Sequence, residues 1–129
     1  MKYMILMQGT AGDFGSFGRM APADIARHIQ FMNDLNAEWR ASGELVDAQG
    51  LALPDQAKIV RATPGGAPAV TDGPFAEAKE FLAGYWIVEC ASPGRAIELA
   101  ARVSGAPGPG GEPLNFPVEL RPIGSPPER

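Results

Sequence analysis

The 129-residue sequence predicts an α+β domain, with helices laid on one face of a mostly antiparallel sheet. Three observations point there. Two helical stretches alternate with strands but never repeat a βαβ crossover. Phe81 to Cys90 is apolar on both of its faces, as a central covered strand is. Pro64-Gly65-Gly66 turns the chain between two short strand-like runs.

Lys2 to Gln8 is rich in large apolar residues and reads as a buried first strand. Glycines at 9, 12, 15 and 18 mark residues 9–22 as a loop, whose Phe14, Phe17 and Met20 are placed to fold over a pocket as a lid. Pro22 to Ser42 is the best helix: at about 100° per residue, Ile25, Ile29, Met32, Leu35 and Trp39 fall on one stripe. Pro22 suits a first turn, Asp24 complements the helix N-terminus, and Gly43 is a natural stop. Glu44 to Gly50 and Ala57 to Ala62 read as strands, and the hairpin returns through Ala69-Val70-Thr71. In the central strand, Phe81, Ala83, Tyr85 and Ile87 share one face; Leu82, Gly84, Trp86, Val88 and Cys90 share the other. Ser92-Pro93 caps a second helix, with Ala96, Ile97, Ala100 and Val103 as its apolar face and Gly105 as its end. A glycine-proline loop follows, and Phe116 to Ile123 is the last strand, with Val118 and Leu120 opposed to Glu119 and Arg121.

The order is therefore β-α-β-β-(β)-β-α-β, a ferredoxin-like plan with an extra hairpin strand. Residues 1–123 form one domain, and 124–129 a disordered C-terminal tail. Helices on one face leave the other apolar face uncovered. A second copy is its simplest cover, so a homodimer is expected.

The bulk composition narrows the function. A net charge of -4 offers no electrostatic footprint for a nucleic-acid backbone, so no nucleic-acid partner is expected. The apolar opening ends at Gln8, too short for a signal peptide or a membrane span, and the expected location is cytoplasmic with no membrane partner. Cys90 is the only cysteine; inside an apolar strand it reads as core, in a reducing compartment. One histidine and no cysteine pair make no ligand set for a metal. The first glycine cluster lacks both G-x-G-x-x-G and Gly-Lys-Ser/Thr, so no cofactor is expected. No Gly-x-Ser-x-Gly segment supports a serine nucleophile.

Two places remain. His28 lies inside the apolar stripe of the first long helix, between Met32 and Leu35. It is either a satisfied core or interface histidine or a general acid/base facing a cleft. Asn36, two turns along, either orients a ligand or the surroundings of His28, or bonds to backbone. Asp72-Gly73-Pro74-Phe75 is a turn in which Asp72 can bond the backbone just beyond it. Glu77, Lys79 and Glu80 then suit a solvated edge or one short helical turn.

Val70-Thr-Asp-Gly-Pro-Phe-Ala-Glu-Ala-Lys-Glu80, followed by Gly84-Tyr85-Trp86-Ile87, resembles the signature of the DGPF branch of the YCII-related family. Met1–Met7, Trp39–Gly43, Gly50–Pro54 and Val118–Ile123 are similar to that branch too, so the likeness spans residues 1–123. The resemblance implies a ferredoxin-like fold assembled as a dimeric α+β barrel, with a histidine–aspartate pair in a cleft. Some relatives act as lyases on small, often aromatic or halogenated, ring compounds. His28 stands at the first-helix position of that histidine, and Asp72, which opens the signature, is nominated as its partner.

Two readings follow. In the first, the chain is a cofactor-free lyase or isomerase. His28 is then the general acid or base and Asp72 fixes its tautomer; Lys79 or Arg61 binds an anionic oxygen, while Phe75 and Tyr85 line the substrate site. In the second, it is a non-catalytic dimer that binds an unknown small-molecule ligand or a regulatory partner. Members of the branch are commonly encoded beside sigma factors of the extracytoplasmic type, which suits association with a transcription regulator. A direct His28–Asp72 pair, within about 6 Å, separates the two.

Overall fold

The computed structural model describes residues 1–75 and 77–124. The part of the expected tail beyond Gly124 lies outside these residues. The elements are β1 (Lys2–Gly9), α1 (Ala11–Gly18), α2 (Pro22–Ala41), β2 (Leu45–Gly50), β3 (Lys58–Arg61), β4 (Ala69–Asp72), β5 (Phe81–Glu89), α3 (Pro93–Ser104) and β6 (Val118–Pro122), with single 3₁₀ turns at Pro54–Gln56 and Pro109–Gly111. Four strands form an antiparallel sheet in the order β2-β5-β1-β6, and β3 and β4 form a separate two-stranded sheet. The class is α+β.

β5 is central, as its two apolar faces require. At Gly84 it runs so close to β2 that an added Cβ would meet the Gln49 carbonyl oxygen at 2.9 Å. Alternation then sorts the sheet into two faces. Tyr3 and Ile5 of β1, with Trp86 and Val88 of β5, point to the helices and are buried against Leu35 and Trp39 of α2 and Leu99 and Val103 of α3. Cys90 is buried in the same cluster, and that burial pushes its thiol pKa up.

The opposite face carries two cross-strand rows. One runs Asp47, Ile87, Met4, Arg121; the other runs Gln49, Tyr85, Leu6, Glu119. Its four central residues are only half-buried.

The helix-covered layer is fastened at its edges. Ser92 caps α3 by accepting from the Arg95 backbone N–H at 3.2 Å. The Arg95 guanidinium grips Glu44 with two hydrogen bonds of 2.8 and 2.9 Å, tying α3 to the start of β2. Arg102 of α3 also pairs with Glu38 of α2.

The loop expected over residues 9–22 is corrected in part: Ala11–Gly18 is an α-helix. The reason is its cap. Thr10 accepts from the Asp13 backbone N–H at 3.1 Å, and Asp13 accepts from the Thr10 backbone N–H at 2.9 Å. This reciprocal box offsets glycines that each cost about 1 kcal/mol relative to alanine in a helix. No residue of α1 is buried, so it lies on the body rather than in it.

Candidate functional site

The Asp72–Phe75 segment builds one wall of a cleft. The Gly73 backbone N–H donates to the Ala57 carbonyl at 2.8 Å, the Gly73–Pro74 peptide is cis, and the Ala78 N–H returns to the Phe75 carbonyl at 3.0 Å. The facing wall is the loop after β2. The Leu51 N–H bonds to the Ala83 carbonyl at 2.8 Å, and the 3₁₀ turn from Pro54 then folds the loop back. Between the walls is a hollow of about 430 Å³. Leu51, Leu53 and Pro54 face it from one side, Pro74, Phe75 and Phe81 from the other, and Glu80 is the one charged residue in its lining among the described residues. Phe75 is 60% exposed and Leu53 55%, so the hollow is open and its walls are apolar side chains in contact with water. Glu80 also borders a smaller hollow of about 160 Å³ beside Leu6, Gln8 and Glu119.

α1 touches this cleft and His28 at once. Phe14 packs against Phe81 with ring centroids 6.5 Å apart, and Phe17 sets its ring edge-on to His28 at 5.0 Å. His28 is 7% exposed, on the buried stripe of α2 as its spacing predicts. Its Nδ1 lies 3.0 Å from the Pro107 carbonyl oxygen. A carbonyl only accepts, so Nδ1 carries the proton and, in the neutral ring, Nε2 is the bare acceptor.

Asp72 stands in a different setting. It ends β4 on the exposed hairpin, its side chain 86% exposed, with its carboxylate 2.6 Å from Lys58 Nζ. His28 and Asp72 thus each bond elsewhere, and no hydrogen bond joins them among the described residues. The group that orients His28 is a backbone carbonyl.

The other nominated residues scatter. Phe75 lines the cleft; Lys79, though exposed in the same turn, does not. Arg61 pairs in register with Ala69 on the hairpin, where both are exposed. Tyr85 lies on the open sheet face and donates to Asp47 Oδ2 at 3.1 Å; that hydrogen bond to a carboxylate holds its hydroxyl pKa above the usual phenol value. Asn36 accepts from Trp86 Nε1 at 2.8 Å and so serves the core. Among the described residues no group of three or more His, Cys, Asp or Glu could hold a metal ion, and no helix is long and apolar enough to cross a membrane.

Sequence reasoning missed Leu51 and Leu53 as cleft residues. Their signal was available: large apolar side chains in a proline-terminated loop, outside any strand or helix. Pro107 had none, because its contribution is main-chain.

A protein of Rhizobium meliloti (strain 1021), itself uncharacterised, is 35% identical over 95 residues, which cover 71% of this chain and 72% of that protein. The family model for the YCII-related domain matches residues 1–106, a span that holds α1, His28, the hairpin and the whole cleft. The chain belongs to the YCII-related family.

Proposed function

We propose that this protein is a homodimer of ferredoxin-like subunits, a dimeric α+β barrel, that binds a small apolar organic molecule in the cleft behind the Asp72–Phe75 turn. The cleft carries the reading. Its volume of about 430 Å³ lies at the lower end of the roughly 300–1,000 Å³ of ordinary ligand pockets. Leaving such side chains in water forgoes about 25 cal/mol for each Å² of apolar surface that a ligand would cover. A titration with the neutral apolar dye Nile red tests it. One saturable site per chain is expected, and Leu53→Asp abolishes it without unfolding the protein. Dye binding unchanged by Leu53→Asp sinks the reading.

The open sheet face supports the dimer. Asp47 stands on one edge and Arg121 on the other, in a single row. Turning a second copy about an axis along the strands lays each Asp47 over the partner's Arg121, with Met4, Leu6 and Ile87 between. Such an isologous contact is self-complementary in charge as well as apolar.

A second reading, the cofactor-free lyase or isomerase, is favoured by one observation. His28 has a tautomer defined by the Pro107 carbonyl, and its ring lies beside a superficial helix. Within this reading the Pro107 carbonyl takes the orienting part first assigned to Asp72. Arg61 and Lys79, on the exposed hairpin and turn, are the positive charges this reading nominates for an anionic oxygen formed in the reaction.

A further inference from the structure

Among the described residues His28 is the one polar or charged residue that is buried, and neither the core nor the cleft uses it. Of its two ring nitrogens only Nδ1 has a partner among the described residues, and Nε2 is not sealed off unpartnered; the buried side-chain atom that is, among the described residues, is Trp39 Nε1.

The loop that supplies this partner is closed on itself. The Gly108 N–H bonds to the Glu112 carbonyl at 2.7 Å, the Leu114 N–H to the Ala106 carbonyl at 2.9 Å, and Pro107 and Pro113 form a bridge. Ala106 is fully buried and anchors the loop to the body. At Gly111 φ is +80°, a left-handed conformation that favours glycine, and an added Cβ would come 2.5 Å from Arg27 Nη1. Arg27 is the residue before His28. The loop thus passes α2 beside the imidazole, and the positive φ of Gly111 favours glycine at that point.

The roof has the opposite character. α1 has no buried residue and three internal glycines or glycine ends, and it meets His28 through the Phe17 ring alone among the aromatic contacts. Local opening draws on segments with few buried contacts.

We propose that residues 105–114 preset His28 as a proton acceptor at Nε2, the centre of a second, polar ligand site, and that α1 is the lid of that site with Phe17 as its contact. This deepens the proton-transfer reading and rests on it for the reacting group; it does not rest on the cleft. The ligand it takes is a small neutral molecule with an acidic N–H or O–H that donates to Nε2, and a flat apolar part that replaces the edge of Phe17. Pro107 is a positioning residue here, since it acts through His28.

Because His28 is the only histidine, ¹⁵N labelling of histidine gives one ring spin system and a direct test. The neutral ring should be the Nδ1–H form, with an unprotonated Nε2. Gly111→Ala should shift it toward the averaged tautomers of free imidazole, while Phe75→Asp should leave it alone. Succinimide, a small N–H acid, should then move the Nε2 resonance in the natural protein and equally in Phe75→Asp, and Phe17→Ala should raise its affinity several-fold. An Nε2–H tautomer overturns the proposal. So does an Nε2 resonance that ignores saturating succinimide even in Phe17→Ala, or a response that disappears in Phe75→Asp, which would return the ligand to the cleft.

Discussion

The two faces of the four-stranded sheet are made by alternate residues of the same strands, yet they are finished differently. Tyr3, Ile5, Trp86 and Val88 are closed in by α2 and α3 of their own chain. Met4, Leu6, Tyr85 and Ile87, one residue along, stay half-buried between a polar edge at Asp47 and another at Arg121. The first face carries stability within the chain. The second has the composition of an interface core with a polar rim, and it ends at Leu6 and Glu119, where the smaller hollow begins. Packing within the chain is assigned to one face of the sheet, and the proposed dimer contact to the other.

The largest effect should come from the covered face. Ile5→Ala should lose about 2–5 kcal/mol of unfolding free energy in denaturant melts, because Ile5 is fully buried. A loss of a few tenths would mean that the helix layer is looser than its burial implies. Next comes the open face. If the proposed dimer uses this face, Ile87→Asp should leave far-ultraviolet circular dichroism intact but give a monomer in sedimentation analysis, since it puts an unpaired charge at the centre of the proposed contact. Equal masses for the variant and the natural protein would break the division of the two faces.

At the cleft, Phe75→Asp should weaken Nile red binding by about tenfold or more, with less than about 1 kcal/mol of change in stability, because Phe75 is largely exposed. A comparable loss of stability would make Phe75 a packing residue instead. The smallest effect should be at Glu44, whose pKa is lowered chiefly by its hydrogen bonds from Arg95. A depressed carboxylate contributes stability that is present above the ordinary glutamate range and lost as the pH falls through the folded value. With Arg95 partly exposed, the contribution is under about 1 kcal/mol. Glu44→Gln should therefore lower stability slightly at neutral pH and leave it unchanged in acid, flattening the acid limb of the profile, which pH-dependent melts can read.

Much of this frame was readable from residue order. The period of two in Phe81–Cys90 identified the central strand and the way Tyr85 and Trp86 face, and the stripe on Pro22–Ser42 put His28 on the buried side. What was not readable depends on main-chain geometry. Glycine spacing argued against α1, but the Thr10–Asp13 box, four residues long, outweighed it. The signature drew attention to Asp72, the residue of that turn most exposed to water, while the cleft is made by its neighbours Pro74 and Phe75. His28 is oriented by a carbonyl from a loop 79 residues away, and no side-chain pattern announces a carbonyl.

The measurement that bears most directly on the central claim is a backbone amide chemical-shift map of the protein titrated with Nile red. The account predicts shifts concentrated in residues 51–57 and 73–82, with saturation at one dye per chain. Shifts confined to the open face around Met4, Leu6 and Ile87, or no saturable shifts in the cleft at all, would contradict it.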